Sequence, residues 1–294
     1  MIHNKQVLDA IHELLIQKPG SEGIVGYSED EFEPPEGGQP GIRIYVANDS
    51  VIVPDFIANI PTHKIIVGQP QKYDGYSNSL KPELLNPKEK QRPIIGGIAI
   101  GSSAEMIKLG TLGYFIKVKG VEEMCFVTSA HVANFMDGIE VQPPIYFGGT
   151  EKDKIGDLLE IKNDPGKGVE CAAYRIAKNI DYRLELNDIP NRVTSSGDAK
   201  VKDIVMKSGA ITLVTRGPVT DVKAVVKFPT GEYKNLIMIE QQFFAKPGDS
   251  GSLVVVENKG SLMAVGLILG GSESFTYACP IKAVLDALKA TIAT

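Results

Sequence analysis

Short runs of Val, Ile and Leu, set apart by Gly, Pro, Asn and Asp, fill residues 96–280. Runs of this kind, bounded by turn residues, are the signature of strands. They predict strands at Thr111–Lys119, Met124–Ser129, Ile145–Phe147, Ile155–Ile161, Ala172–Ile176, Ile204–Lys207, Val219–Phe228, Leu236–Glu240, Gly251–Val256 and Met263–Leu269. So many short strands in succession imply a mostly β protein, built as one β-sandwich or as a pair of small β-barrels.

The two ends of the chain follow another period. Val7, Ile11, Leu14 and Leu15 recur at helical spacing within residues 5–17, and Lys18-Pro19-Gly20 stops that helix. Ile281, Val284, Leu285, Leu288 and Ile292 predict a C-terminal helix over 281–292, docked on the β core. After the first helix come strands at Gly23–Tyr27, Ile42–Val46 and Lys64–Val67, with an acidic, Pro/Gly-rich loop between the first two. Residues 1–70 therefore read as a small N-terminal α+β domain that packs on the larger one. Residues 71–93, rich in Pro, Lys, Asn, Ser and Tyr, read as a linker or a wrap over the surface, and 94–294 as the main β domain.

Composition removes several classes of function. The net charge is −5 and no Lys/Arg run is dense, which argues against nucleic acid as a partner. No apolar run approaches membrane-spanning length, and the N-terminus lacks the cationic start and apolar core of a secretory signal. The three cysteines, Cys125, Cys171 and Cys279, are odd in number and far apart, and each lies in or beside an apolar run. They read as buried free thiols. These features predict a protein of a reducing, cytoplasmic compartment, with no membrane association and neither a metal nor a cofactor.

Chemistry is suggested by Lys246-Pro247-Gly248-Asp249-Ser250-Gly251, which leads into the apolar run Leu253-Val254-Val255-Val256. Glycines on both sides let the backbone turn tightly and bring amides close to a reacting atom. A serine on such a turn has what a nucleophile with an oxyanion hole requires. The same four residue types also make an ordinary β-turn, so the reading depends on a base elsewhere. Of the four histidines, His3 and His12 fall on the first helix and His63 precedes a strand. His131 instead follows the run Cys125-Phe126-Val127-Thr128-Ser129-Ala130, just past a strand end beside small residues. There an imidazole can be held rigidly with its ring available as a base for a serine hydroxyl.

Ser-Ala-His followed by Gly-Asp-Ser-Gly resembles the signature pair of the trypsin/chymotrypsin-like serine peptidases. Gly110-Thr111-Leu112-Gly113, Val205-Met206-Lys207-Ser208-Gly209, Ala264-Val265-Gly266-Leu267 and Cys279-Pro280-Ile281 narrow the likeness to the narrow-leaf type of bacteria and plants. Members of that family also carry an N-terminal α+β segment, so the resemblance spans nearly the whole chain. It implies a two-barrel fold and an endopeptidase acting on protein or peptide substrates through an acyl-enzyme. Ser250 would be the nucleophile, His131 the base, and the amides of Gly248 and Ser250 the oxyanion hole. The family's third member, an aspartate, corresponds to Glu170 in Val169-Glu170-Cys171-Ala172. Glutamate carries one more methylene, and Asp157, Asp164 and Asp181 stand as rivals. Asp249 would support the oxyanion loop. The resemblance puts the base of the specificity pocket near Phe244 and Ala245 and one wall at Leu269-Gly270-Gly271. No carboxylate lies at that base, which points to an apolar or small side chain.

Ile94-Ile95-Gly96-Gly97 also resembles the N-terminus freed when such zymogens are cut, but Pro93 after Arg92 opposes cleavage there. The Asp-to-Glu change raises an alternative, a weak or inactive member of this fold used as a peptide- or protein-binding module. An α/β-hydrolase is excluded, because no histidine follows Ser250. The sequence leaves open whether residues 1–70 cover the active site, dock a regulatory partner or drive self-association into a homo-oligomer.

Overall fold

The apolar runs of the second half close a barrel. Ile204–Gly209 pairs antiparallel with Leu213–Phe228 on one side and Leu253–Asn258 on the other. The ring continues through Ser261–Gly271, Phe275–Pro280 and Gly231–Glu240, and the last of these returns to Leu213–Phe228. Closure pairs the strands of the ring on both sides over most of their length, and inward residues such as Val205, Val254, Val265 and Ile239 fill its interior. The structure, a computed structural model, describes residues 5–12, 22–30, 32–34, 38–72, 90–102, 109–133, 139–142 and 150–294.

A second sheet precedes it in the chain. Its order runs Ala290–Ile292, Tyr114–Val118, Cys125–Thr128, Val169–Ile176, Lys154–Asp164, Ile139–Val141, Ala99–Ser102 and Leu109–Thr111. Leu109–Thr111 and Tyr114–Val118 are successive in the chain, so this sheet curls back on itself into the other barrel. Of the two readings left open by the strand pattern, the pair of barrels is the one observed.

The expected strand at Ile145–Phe147 and residues 13–17 of the expected first helix lie outside the described residues; Lys5–His12 is helical. The C-terminal helix is shorter than its spacing predicts. It covers Ile281–Ala287, after which Lys289 takes a left-handed φ of 49° and Ala290–Ile292 becomes a strand on Tyr114–Val118. Ile292 satisfies both periods, and the open edge beside Ile116 offers backbone partners that one more helical turn would not. Tyr182–Leu186, Val193–Ser196 and Phe275–Pro280 are strands that the sequence pattern did not mark, the first two short and rich in polar residues.

The N-terminal segment continues the sheet of the second barrel. Ile24–Ser28 pairs with Leu213–Phe228, then Ile42–Val46 and Ile60–Ile66 follow outward. A Cβ on Gly26 would lie 2.1 Å from the Val225 carbonyl oxygen, so glycine is what lets these backbones meet. Ile11, Ile24, Tyr27, Ile42, Ile44, Val46 and Ile57 form a small core of their own against Val225. Arg43 reaches into the barrel, 3.1 Å from the buried Asp221, which also accepts a hydrogen bond from the Tyr45 hydroxyl. Past this segment, Gln71–Lys72, within the stretch read as linker or wrap, forms a two-residue strand on Gly270–Gly271. Ile94–Gly96 is a buried internal strand beside Tyr182–Leu186. Among the described residues no helix is long and apolar enough to cross a membrane.

Candidate active site

Ser250 lies where the two barrels face each other, on a turn that only glycines allow. Gly248 and Gly251 have φ of 102° and 87°, values that side-chain-bearing residues rarely adopt. A Cβ on Gly251 would come 2.2 Å from Thr128 Oγ1. Thr111 of the first barrel ties the turn from across the interface. Its N–H donates to the Ser250 carbonyl at 2.9 Å, and its hydroxyl donates to the Gly248 carbonyl at 2.9 Å.

Beside the serine, the Asp249 carboxylate is fully buried and surrounded by donors. Ile211 N–H (2.8 Å) and Thr212 N–H (3.2 Å) donate to Oδ1, and the Thr212 hydroxyl (2.6 Å) and Lys246 N–H (2.9 Å) to Oδ2. The equally buried Lys207 ammonium lies 3.7 Å away. Burial pulls the Lys207 pKa down while Asp249 pulls it up, and the net direction is down. Asp249 thus fixes the turn to the neighbouring 211–212 loop.

His131 arrives from the other barrel. The Cys125–Thr128 strand ends, the Ser129 hydroxyl donates to the Ile268 carbonyl at 2.7 Å, and the imidazole follows two residues later. Its Nε2 is 2.8 Å from Ser250 Oγ and its Nδ1 is 2.9 Å from Glu170 Oε1. Glu170 is the second residue of the Val169–Ile176 strand, which pairs directly with Cys125–Thr128. Its carboxylate also takes the His131 N–H on Oε1 at 2.9 Å and the Ala130 N–H on Oε2 at 3.0 Å. The extra methylene is therefore accommodated. The longer side chain grips the backbone before the histidine as well as the ring. Asp157 and Asp164 pair with the surface lysines Lys154 and Lys167, and Asp181 is exposed, so none of the rivals approaches the imidazole.

Burial by itself raises the Glu170 pKa. The positive charge and hydrogen bonds of His131, with the Lys72 ammonium 3.3 Å from Oε1, outweigh it and bring the group to about 2. A carboxylate so held accepts Nδ1–H, which leaves Nε2 with its lone pair toward Ser250. An imidazole in that tautomer can take a proton from a serine hydroxyl.

A cavity of about 610 Å³ opens between the 245–247 turn, the 271–274 loop and the N-terminal segment at Ala47 and 66–71. Of the residues expected to bind substrate, Ala245 and Gly271 line it. Phe244 does not: its ring is fully buried in the second barrel's core, and its carbonyl accepts a hydrogen bond from the Thr215 hydroxyl. Leu269 touches the serine instead, its carbonyl 3.4 Å from Ser250 Oγ. Gly270 carries the Gln71–Lys72 strand. Among the described residues, no three His, Cys, Asp or Glu side chains are grouped to hold a metal ion.

No family model matches the chain. It is 28% identical over 223 residues to streptogrisin-D of Streptomyces griseus, covering 72% of this chain and 51% of that protein. The chain thus spans about half the length of this relative. Among solved structures it matches a glutamic-acid-specific serine protease that uses a histidine triad in substrate binding. The TM-score is 0.54 at 22% identity, over 68% of this chain and all of that one. A Nocardiopsis protease (TM-score 0.54, 20% identity) and the Cellulomonas bogoriensis chymotrypsin (0.53, 21%) match over the same 68%, covering 99% and 98% of those chains. The fold is chymotrypsin-like. The two barrels of a chymotrypsin-like fold leave a cleft between them, and His131 and Ser250 approach each other across it.

Two lysines near the site escaped the sequence reading. Lys207 carried a signal, since a lysine inside the run Ile204-Val205-Met206 must find a buried partner. Lys72 carried none, because it belongs to a polar stretch whose partners, Glu170 and Tyr233, are far away in the chain.

Proposed function

We propose that this chain is a serine endopeptidase that hydrolyses peptide bonds through an acyl-enzyme. The observation that carries the reading is the unbroken line Glu170–His131–Ser250, with both ring nitrogens of one buried imidazole at hydrogen-bond distance from their partners. His131 Nε2 takes the Ser250 proton as Oγ attacks the scissile carbonyl. Glu170 holds Nδ1–H and stabilises the imidazolium that forms. The proton then passes from Nε2 to the leaving amine, and water releases the acyl group by the reverse route. The amides of Gly248 and Ser250 receive the oxyanion, a contribution of about 3–4 kcal/mol to the barrier in such sites. Ala245 and Gly271 support an apolar or small side chain next to the scissile bond, and Glu273 of the 271–274 loop belongs to the same cavity's lining.

The relatives' names agree with a protease, and three free, buried cysteines support a reducing, cytoplasmic setting. The binding-module alternative drew on the Asp-to-Glu change, and that motive weakens once Glu170 reaches His131 at 2.9 Å. A fluorophosphonate probe should label the wild type and not Ser250→Ala, as read by intact mass. Folded wild type that stays unlabelled would sink the proposal.

A further inference from the structure

The edge of a sheet recruits extended peptides, since its backbone groups lack a strand partner. Beside Ser250 that edge is the end of the Ser261–Gly271 strand, and the protein's own chain is already seated on it. Gln71 lies opposite Gly271 and Lys72 opposite Gly270, antiparallel. The strand therefore runs from Gly271 toward Leu269, whose carbonyl touches Ser250 Oγ. Its direction leads to the nucleophile.

The seat is shaped for a close backbone. A Cβ on Gly270 would lie 2.2 Å from the Gln71 carbonyl oxygen and 2.8 Å from Lys72 Cα. Upstream, Gly68 takes a φ of 76° against Ser272, and the Ser272 hydroxyl donates to the Val67 carbonyl at 2.5 Å. The lysine side chain is received as well. Its ammonium donates to Glu170 Oε1 at 3.3 Å and to the Tyr233 hydroxyl oxygen at 3.0 Å, and lies 4.9 Å from the centre of the Tyr233 ring. Tyr233 is held in turn by donating to Asn163 Oδ1 at 2.8 Å. A carboxylate, a phenol oxygen and an aromatic face around one ammonium make a cation site.

We propose that Gln71–Lys72 is a substrate-like strand held in cis. It fills the backbone edge at Gly270–Gly271, and its lysine occupies a subsite, built by Glu170 and Tyr233, that selects a cationic side chain in the peptides this protein takes. This rests on Ser250 being the nucleophile. The subsite is separate from the cavity lined by Ala245 and Gly271, which receives the side chain next to the scissile bond. A tethered strand competes at an effective concentration that a free peptide must overcome, so the arrangement both restrains the site and records its preference.

The test uses the full chain carrying Ser250→Ala, so that binding is read without turnover. The probe is a fluorescein-labelled peptide with the sequence of residues 66–72, and a second peptide has norleucine in place of the lysine. Adding Lys72→Met, which keeps an unbranched stem and removes the charge, should tighten binding of the lysine peptide about tenfold or more, because the competing strand is weakened. The norleucine peptide should bind that same protein about tenfold more weakly than the lysine peptide. Gly270→Ala should abolish binding of both. Equal affinity with and without Lys72→Met, or equal affinity for the two peptides, overturns the proposal. Lys72→Gln repeats the comparison if Lys72→Met does not melt cooperatively. Fluorophosphonate labelling of the wild type reports on the nucleophile separately. The predicted binding pattern without labelling would support the docked strand and count against the peptidase reading alone.

Discussion

Two buried carboxylates lie near Ser250, and they are held in opposite ways. Asp249, in the second barrel, is enclosed by groups of its own neighbourhood: backbone amides of 211, 212 and 246, a threonine hydroxyl and Lys207. None of the amides or the hydroxyl titrates near neutral pH, and the Lys207 ammonium is fully buried beside them, so these partners hold the turn in shape. Glu170, in the first barrel, also accepts two amides, but its remaining partners are an imidazole and a lysine from the stretch that follows the N-terminal segment. One of these is an imidazole, and the other is an ammonium that reaches in from outside both barrels. Burial and residue class are nearly the same at both sites. The partners decide that one carboxylate braces a turn and the other can take part in proton transfer.

The sharpest way to break this contrast is Glu170→Gln. The amide keeps nearly the same shape but loses the charge that selects Nδ1–H and steadies the imidazolium. On the proposed mechanism kcat should fall about 10⁴-fold, the drop seen when a triad acid becomes an amide, with a cooperative melt retained. A fall of less than about tenfold would remove Glu170 from the mechanism. Asp249→Asn should do the reverse, acting on stability first. It removes one partner of a buried ion pair and leaves Lys207 uncompensated, at a cost of about 3–5 kcal/mol in denaturant unfolding. If Asp249→Asn unfolds with an unchanged midpoint, Asp249 does not brace the turn.

Much of this contrast was legible in the sequence. Ser250 and His131 could be singled out because the turn and strand-end residues that position them lie next to them in the chain. Glu170 was readable only through its place in a family pattern, since nothing local distinguishes it from Asp157 or Asp164. Lys72 was out of reach, because its contacts come from a strand seated on Gly270–Gly271 and no local periodicity marks two residues in a polar stretch. The same cause explains the C-terminus. Leu288 and Ile292 fit a helix, and only the free edge at Tyr114–Val118 turns the last residues into a strand. Long-range edge pairing was a recurrent gap, and short polar strands such as Tyr182–Leu186 and Val193–Ser196 carried too little periodicity to mark.

Acid should sharpen the comparison next. Glu170 has its pKa brought from 4.5 to about 2 in the folded protein, so the unfolded chain takes up that proton first. Its contribution to stability is fully present above pH 4.5 and fades as pH falls toward 2. The stability gap between wild type and Glu170→Gln should therefore narrow by about 3 kcal/mol between pH 5 and pH 2. Chemical unfolding at several pH values measures this directly, and a gap that stays constant would mean that Glu170 is not held as a charged group.

The mildest change, Glu170→Asp, asks whether the length of the side chain matters once its charge is kept. In the wild type one carboxylate spans the imidazole Nδ1 and the amides of both Ala130 and His131. Shortened by a methylene on an unmoved strand, it cannot keep all three contacts. The strand itself is fixed by its ladder to Cys125–Thr128 and Lys154–Asp164. Either the ring contact lengthens or the ring turns toward the shorter acid, and both draw Nε2 from its alignment with Ser250 Oγ. Misplacement of that order costs about ten- to a hundredfold in kcat. KM should be little changed for a substrate with no cationic side chain at the Glu170–Tyr233 subsite, because no contact to such a substrate is removed. An Asp variant as active as the wild type would show that the ring follows its acid freely, and that the grip of Glu170 on the backbone before His131 has no part in setting the rate.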